Sequence, residues 1–317
     1  MGDLPKYEAL PLAYLLMVLS VISVVSSSII LYFYWRYRTM RKNFLSTLIF
    51  LLSLLDALCW LNIIITTSYY IDHSETPISQ NAPAFCRFLG FFWNYCELLN
   101  FGVTLIICLA LYMALMRNVD PARYKFLMIN LVFTISFILS LIPLFIPVSS
   151  FGEENDSDDD SSYGPVDGHI KCWITNKTVR IIFFYIPLWI VCILNLIVII
   201  KLLRGLHLRA FSELHDRYST RFVMFPAIMM GCYLVSSIRR LAQLFSENED
   251  ITPFWFVVLM YVFMPLQGLF NTIVYGMFEE IIRVRIIAVF TCNWEALREM
   301  DRLELENELV GNEEGGL

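Results

Sequence analysis

Apolar residues in this chain fall into seven long runs separated by short polar or charged segments. The runs cover approximately 9–35, 44–71, 85–116, 126–147, 179–203, 222–245 and 253–278. Each can cross a bilayer, because a ~30 Å hydrocarbon core takes about 20 helical residues. In lipid every backbone polar group must be bonded within the chain. The runs lack the alternation of barrel strands, so they are predicted to be helices. The expected fold class is all-α, a seven-transmembrane helix bundle. The first run is too long for a signal-peptide core and no small-residue cleavage site follows it, so it is read as a retained span.

Composition points the same way. With 58% hydrophobic residues and a mean hydropathy of +0.63, a soluble globule could not bury its apolar surface. An odd number of spans puts the termini on opposite sides, and lysine and arginine set which side is which. Arg36, Arg38, Arg41, Lys42, Arg117, Arg123, Lys125, Lys201, Arg204, Arg209, Arg217, Arg221, Arg283 and Arg285 lie at one face, against Lys6, Arg87, Lys171, Lys177 and Arg180 at the other. Residues 1–8 are therefore expected outside and the carboxyl terminus in the cytoplasm. Both glycosylation acceptors, Asn155 and Asn176, fall in the loop between spans four and five, on the predicted outer side.

Sidedness sorts the eight cysteines. Only Cys86, at the outer start of span three, and Cys172, in the second outer loop, face the oxidising side. A bond between them would tether that loop over the mouth of the bundle; the alternative is two unrelated thiols. Cys59, Cys96, Cys108, Cys192 and Cys232 lie within spans, as ordinary packing.

The insertion Ser149–Gly168 holds Glu153, Glu154, Asp156, Asp158, Asp159, Asp160 and Asp167 among serines and glycines. It is expected to be a mobile acidic loop, since it offers little apolar surface and its spacing is not that of an EF-hand. Residues 279–290 alternate aliphatic with charged positions and read as an amphipathic helix in the membrane interface. Cys292 follows, either a palmitoylation site or a plain thiol, and residues 291–317 form an acidic cytoplasmic tail.

Three segments carry a family resemblance: Cys172-Trp173-Ile174, Ser236-Ser237-Ile238-Arg239, and Pro265-Leu266-Gln267-Gly268-Leu269-Phe270-Asn271 with Thr272-Ile273-Val274-Tyr275-Gly276. Together with the seven spans, the paired cysteines and the short helix after span seven, the chain resembles G-protein-coupled receptors, and within them the cAMP-receptor-like group, class E. The resemblance covers spans one to seven as architecture, with its strongest motif in span seven. It implies a multi-pass plasma-membrane receptor that passes the binding of an unidentified extracellular ligand to a heterotrimeric G protein, with no nucleic-acid duplex as partner. The Asp-Arg-Tyr triplet of rhodopsin-like receptors is missing after span three, Thr272 stands where their span-seven motif has proline, and span seven has no lysine for a retinal Schiff base.

Ionisable groups at membrane depth cost at least ~2.5 kcal/mol on insertion scales, which makes them functional candidates. Asp56 lies mid-span in span two, where by resemblance many such receptors hold a sodium ion or a water network. Glu97 sits about 16 Å down span three from Cys86, with Asn94 and Asn100 at i−3 and i+3 on the same face. This stripe serves either interhelical hydrogen bonding or ligand contact and switching, and Asp56 with Glu97 could share a proton or a cation. Arg239, Arg240 and Gln243 near the outer end of span six, with Asn94, Glu97 and Trp173, are the ligand-binding candidates; Asp56, Asn100, Gln267, Asn271 and Tyr275 form the expected ion and activation network. An arginine in the cup suits an anionic ligand while the acidic loop repels one, so the ligand's sign stays open.

An enzyme is the competing class. His73, His169, His207 and His215 all lie in loops, so no imidazole is available in any span to hold zinc, and no serine has an obvious base beside it. Neither an enzyme nor a resident cofactor, beyond a possible sodium ion, is expected. A seven-span transporter of a proton- or cation-coupled solute, using Asp56 and Glu97, is the alternative. Pro187, Pro226 and Pro265 mark expected hinges in spans five, six and seven.

Overall fold

A computed structural model describes residues 6–72, 83–146, 162–166, 170–208, 213–245 and 253–278, together with Arg283, Thr291 and Glu295. Asn155, Cys292 and, apart from Arg283, the segment 279–290 lie outside the described residues, as does most of the acidic insertion and of the tail. The chain divides into two units, Met1–Thr272 and Ile273–Leu317.

The seven runs form a helical bundle in which every backbone ladder closes within its own segment. Span one is Lys6–Arg36, span two Phe44–Asp72 and span three Pro83–Met116. A tight 3-10 turn, Pro121–Tyr124, starts span four, with the Asp120 side chain accepting from the Ala122 N–H and Pro121 at the first position. Span four continues as Lys125–Leu141 and closes in a second 3-10 turn, Ile142–Leu144. Span five is built from Lys177–Arg180, a π turn Ile181–Tyr185 and Ile186–Leu208; span six is Glu213–Phe245, so His207 and His215, expected in loops, lie in the last and first turns of these helices. Among the described residues, six helices are long and apolar enough to cross a membrane, and span six holds a shorter apolar segment, Met224–Arg239.

Proline acts differently in each of the three expected hinges. Pro226 sits inside a continuous helix. Pro187 lies two residues past the π turn of span five, in the first turn of the helix that follows. Pro265 alone breaks its helix, dividing span seven into Phe254–Phe263 and Leu266–Phe278 because its ring has no N–H to donate and crowds the preceding turn. The Gln267 N–H bonds to the Met264 carbonyl at 3.3 Å and re-forms the chain across the break.

Span three is the central helix. Its apolar window is 72% buried, against 17% for span four and 22% for span five, so those two face lipid over most of their surface. Phe126, Leu127, Ile193 and Leu203 are among their exposed side chains. Small residues let the helices close in: a Cβ on Gly102 would collide with Val132 Cγ1 of span four, and one on Gly268 with Ser23 Oγ of span one.

One end of the bundle carries an antiparallel hairpin, β1 (Tyr163–Val166) and β2 (Lys171–Ile174), with Tyr163 opposite Ile174 and Val166 opposite Lys171. This corrects the expectation of a mobile acidic loop over Ser149–Gly168 at its last part, where Tyr163 and Val166 are buried and supply apolar burial that offsets the cost of ordering. Cys86 and Cys172 form a disulfide with Cα atoms 5.4 Å apart, tying β2 to the start of span three.

Candidate functional site

The polar positions of span three do not share one target. Asn94 Nδ2 donates to Ser140 Oγ of span four at 3.2 Å. Glu97 accepts from the Tyr233 hydroxyl of span six. Asn100 Nδ2 donates to Asp56 Oδ1 of span two at 2.5 Å, while its Oδ1 accepts from Gln267 Nε2 of span seven at 3.1 Å. The expectation of a single shared face is corrected here. A step of three residues turns the helix back by about 60°, which on a helix enclosed on all sides is enough to meet a different neighbour.

Asp56 is the hub of the lower group. Its second oxygen, Oδ2, accepts from Asn271 Nδ2 at 3.0 Å, so spans two, three and seven meet in one buried set of side-chain hydrogen bonds. Asp56, Asn100, Gln267 and Asn271 are all at most 2% exposed. Asp56 and Glu97 each have their own donors, and no hydrogen bond joins them among the described residues. Tyr275 lies in the second unit, in Leu266–Phe278, and is buried.

For sodium the donor set is the test. As oriented, Asn100 and Asn271 present N–H groups to Asp56, the arrangement that satisfies a carboxylate without a cation. Ser53 Oγ, one turn before Asp56, is buried and without a hydrogen-bond partner. A hard cation takes oxygen ligands, so sodium fits only with both amides turned to present their oxygens.

At the hairpin end, backbone lies directly on span three. A Cβ on Gly90 would stand 3.0 Å from Tyr163 Cδ1 and 3.3 Å from the backbone N and Cα of Trp173. The hairpin is then pinned from several sides. The Tyr163 hydroxyl donates to the Ser140 carbonyl at 2.9 Å, and burial raises its phenol above the ordinary value, which keeps it a donor. Arg180 donates from Nε to the Ile174 carbonyl at 2.7 Å and from Nη2 to the Thr175 carbonyl at 2.8 Å. Asn62 Nδ2 of span two donates to the Leu89 carbonyl at 2.8 Å, in the turn preceding Gly90.

Trp173, a ligand-binding candidate on its sequence motif alone, is the centre of this end. Its ring packs edge-on against Phe184 at 4.9 Å and against Tyr185 at 6.2 Å. Arg180 lies 5.0 Å and Lys171 Nζ 5.1 Å from its ring centroid, and Lys171 Nζ is also 5.1 Å from the ring of Tyr261 in span seven. Tyr185, at the end of the π turn, reaches across to Ser236 of span six, with 2.9 Å between hydroxyl oxygens. The extra residue in such a turn re-aims the side chains around it.

Arg239 is buried at 7% exposure. Its Nη1 donates to the Met260 thioether of span seven at 3.9 Å, and its Nε is buried with no partner. The side chains of Arg240 and Gln243 lie outside the described residues. Asn176 has a different task from the one expected. Its side chain is fully buried and its Oδ1 caps the first turn of span five by accepting from the Val179 N–H at 3.0 Å, which leaves no room for a glycan there.

Sequence reasoning missed Tyr233, Tyr185, Ser140, Tyr163, Lys171 and Tyr261 as partners at these sites. Tyrosines within apolar runs fit packing as well as hydrogen bonding, so only Lys171, two residues from Trp173 in a short outer segment, gave a signal that could have been used.

A family model described as 7 transmembrane receptor (Secretin family) matches residues 9–271. The Arabidopsis thaliana protein named G-protein coupled receptor 1 is 26% identical over 275 residues, covering 81% of this chain and 75% of its own. The crystal structure of squid rhodopsin matches with a TM-score of 0.66 at 15% identity, over 92% of this chain and 87% of that chain, a likeness of fold.

Proposed function

The chain belongs to the secretin family of seven-transmembrane receptors, and from that premise we propose that it couples an extracellular ligand to a heterotrimeric G protein at the plasma membrane. The hairpin end is the outer end, where a disulfide persists in an oxidising compartment. The ligand sits beside Trp173, Glu97 and Arg239, and the basic residues at the opposite ends of the spans meet the G protein.

The observation that carries this reading is the buried set of hydrogen bonds from Asp56 through Asn100 to Gln267 and Asn271. It connects spans two and three to span seven just beyond the Pro265 break. Helices that are joined by side-chain bonds at a broken segment can exchange one set of partners for another, which is the kind of two-state element a switch requires. Tyr275, one turn beyond Asn271, is part of this proposal. So is a sodium ion at Asp56, which would hold Asn100 and Asn271 in their turned orientation.

Within the receptors, the cAMP-receptor-like reading rests on the sequences around Cys172, Arg239 and Asn271. It puts cyclic nucleotides first in a ligand screen. The interfacial helix at 279–290, lipidation of Cys292 and glycosylation of Asn155 complete the proposal.

The test uses the full chain in vesicles with purified heterotrimeric G protein. Ligand-stimulated nucleotide exchange supports the receptor. Solute flux without exchange would overturn it in favour of a transporter.

A further inference from the structure

Resting on the receptor reading, we propose that the outer cup contains an anion subsite in which Arg239 receives the negatively charged group of the ligand.

A guanidinium is charged at any physiological pH. Taking one out of water without a counter-charge is strongly unfavourable, and a thioether is only a weak acceptor. Arg239 is nevertheless 7% exposed, with Met260 Sδ as its hydrogen-bond partner and a buried Nε that has none. It is enclosed by protein and so does not reach out to lipid headgroups. A side chain in this state is incomplete until an acceptor arrives.

Its surroundings have the same bias. Lys171, also buried, holds its ammonium over Trp173 and Tyr261, and Tyr261 is next in sequence to Met260. Glu97, within Coulombic reach of Lys171, accepts from the Tyr233 hydroxyl. Trp173 Nε1 is a second buried donor without a partner; among the ligand-binding candidates the unpartnered acceptor is Asn94 Oδ1 of span three. Two chains of contacts lead from the hairpin to Arg239. One passes from Trp173 through Tyr185 to Ser236, one turn before the arginine; the other passes from Lys171 through Tyr261 to Met260. Arg239 Nε and Trp173 Nε1, donors without acceptors beside aromatic faces, suit a small ligand with an aromatic or planar body and a carboxylate, sulfate or phosphate group.

The experiment measures thermal unfolding of the full-length protein in nanodiscs with inorganic phosphate, phenyl phosphate or benzoate, and with benzamide as the neutral comparator. At about ten times its Kd, at least one of the three anions should raise the wild-type Tm by roughly 3 °C, with benzamide giving no shift. Inorganic phosphate alone acting would identify the anion as sufficient, and phenyl phosphate or benzoate acting alone would identify the aromatic body as required; both support the subsite. Arg239→Gln should abolish the shift and Arg239→Lys should reduce it, because the ammonium keeps the charge and loses the fork. Without any probe, Arg239→Gln should keep or raise the Tm, since it removes an unneutralised buried charge. The proposal falls if no anion shifts the wild type, if Arg239→Gln responds like the wild type, or if that variant alone loses about 3 °C or more, which would mean the arginine already has a partner. No G protein is present in this measurement, so its failure is separate from failure of the receptor reading in the exchange assay.

Discussion

Asn271 and Asp56, 215 residues apart in sequence, are joined by a 3.0 Å hydrogen bond from Nδ2 to Oδ2 inside the bundle. The bond connects span two to the part of span seven that lies just beyond the Pro265 break. Removing the amide leaves one buried carboxyl oxygen without that donor, at a cost of about 1–3 kcal/mol. Asn271→Ala should therefore lower the Tm and reduce G-protein nucleotide exchange, while ligand affinity changes by less than about threefold. An unchanged exchange rate would remove the switch role from Asn271, and an unchanged Tm would remove the bond.

Sodium gives a second readout of the same place. If the ion turns both amides toward itself, raising sodium in place of potassium should raise the wild-type Tm. Asp56→Asn should abolish that response, because it removes the carboxylate. Identical sodium titrations for wild type and variant would eliminate the ion and leave the amide bonds as the whole account of the site.

The disulfide predicts non-additivity. Cys86→Ser and Cys172→Ser should each impair surface expression, and the double variant should be no worse than either single one, since both remove the same bond. Losses that add would mean the two cysteines act separately.

Much of this was legible in the sequence, and the parts that were not share a cause. The spans showed because lipid demands long apolar runs, and Cys86 with Cys172 emerged once the charges had assigned sides. Asp56 and Asn271 stood out as polar residues in apolar surroundings. Their partners did not, because spacing along one helix says which residues are near each other and not which neighbour each one meets; Asn94, Glu97 and Asn100 point at three different partners for that reason. The hairpin was hidden because Tyr163-Gly164-Pro165-Val166 is short, contains proline and adjoins an acidic stretch. Its order comes from burial against span three, a tertiary effect.

Gly90 and Gly231 make a matched pair for testing that contact. A Cβ on Gly90 would press on Tyr163 and the Trp173 backbone, whereas one on Gly231 has nothing within 4 Å. Gly90→Ala should lower the Tm and weaken ligand binding by displacing the hairpin. Gly231→Ala, in an exposed helix position, should be neutral or stabilising by up to about 1 kcal/mol. Equal effects at the two positions would mean that the hairpin does not rest on span three as described.

The Tyr233 hydroxyl donates to Glu97, and the Tyr233 ring packs edge-on against Phe101 with centroids 4.9 Å apart. Because the ring has its own packing, Tyr233→Phe removes the hydroxyl and leaves the shape. The loss deprives a buried carboxylate of its donor and should cost about 1–3 kcal/mol. In a Glu97→Met background, where no carboxylate remains to be satisfied, the same change should cost less than about 0.5 kcal/mol, since replacing both partners by apolar groups of similar size is nearly neutral. The difference is the coupling energy of the pair, read from thermal unfolding of the four proteins. A coupling indistinguishable from zero would mean that the bond contributes nothing, and that spans three and six are held here by Phe101 and its neighbours alone.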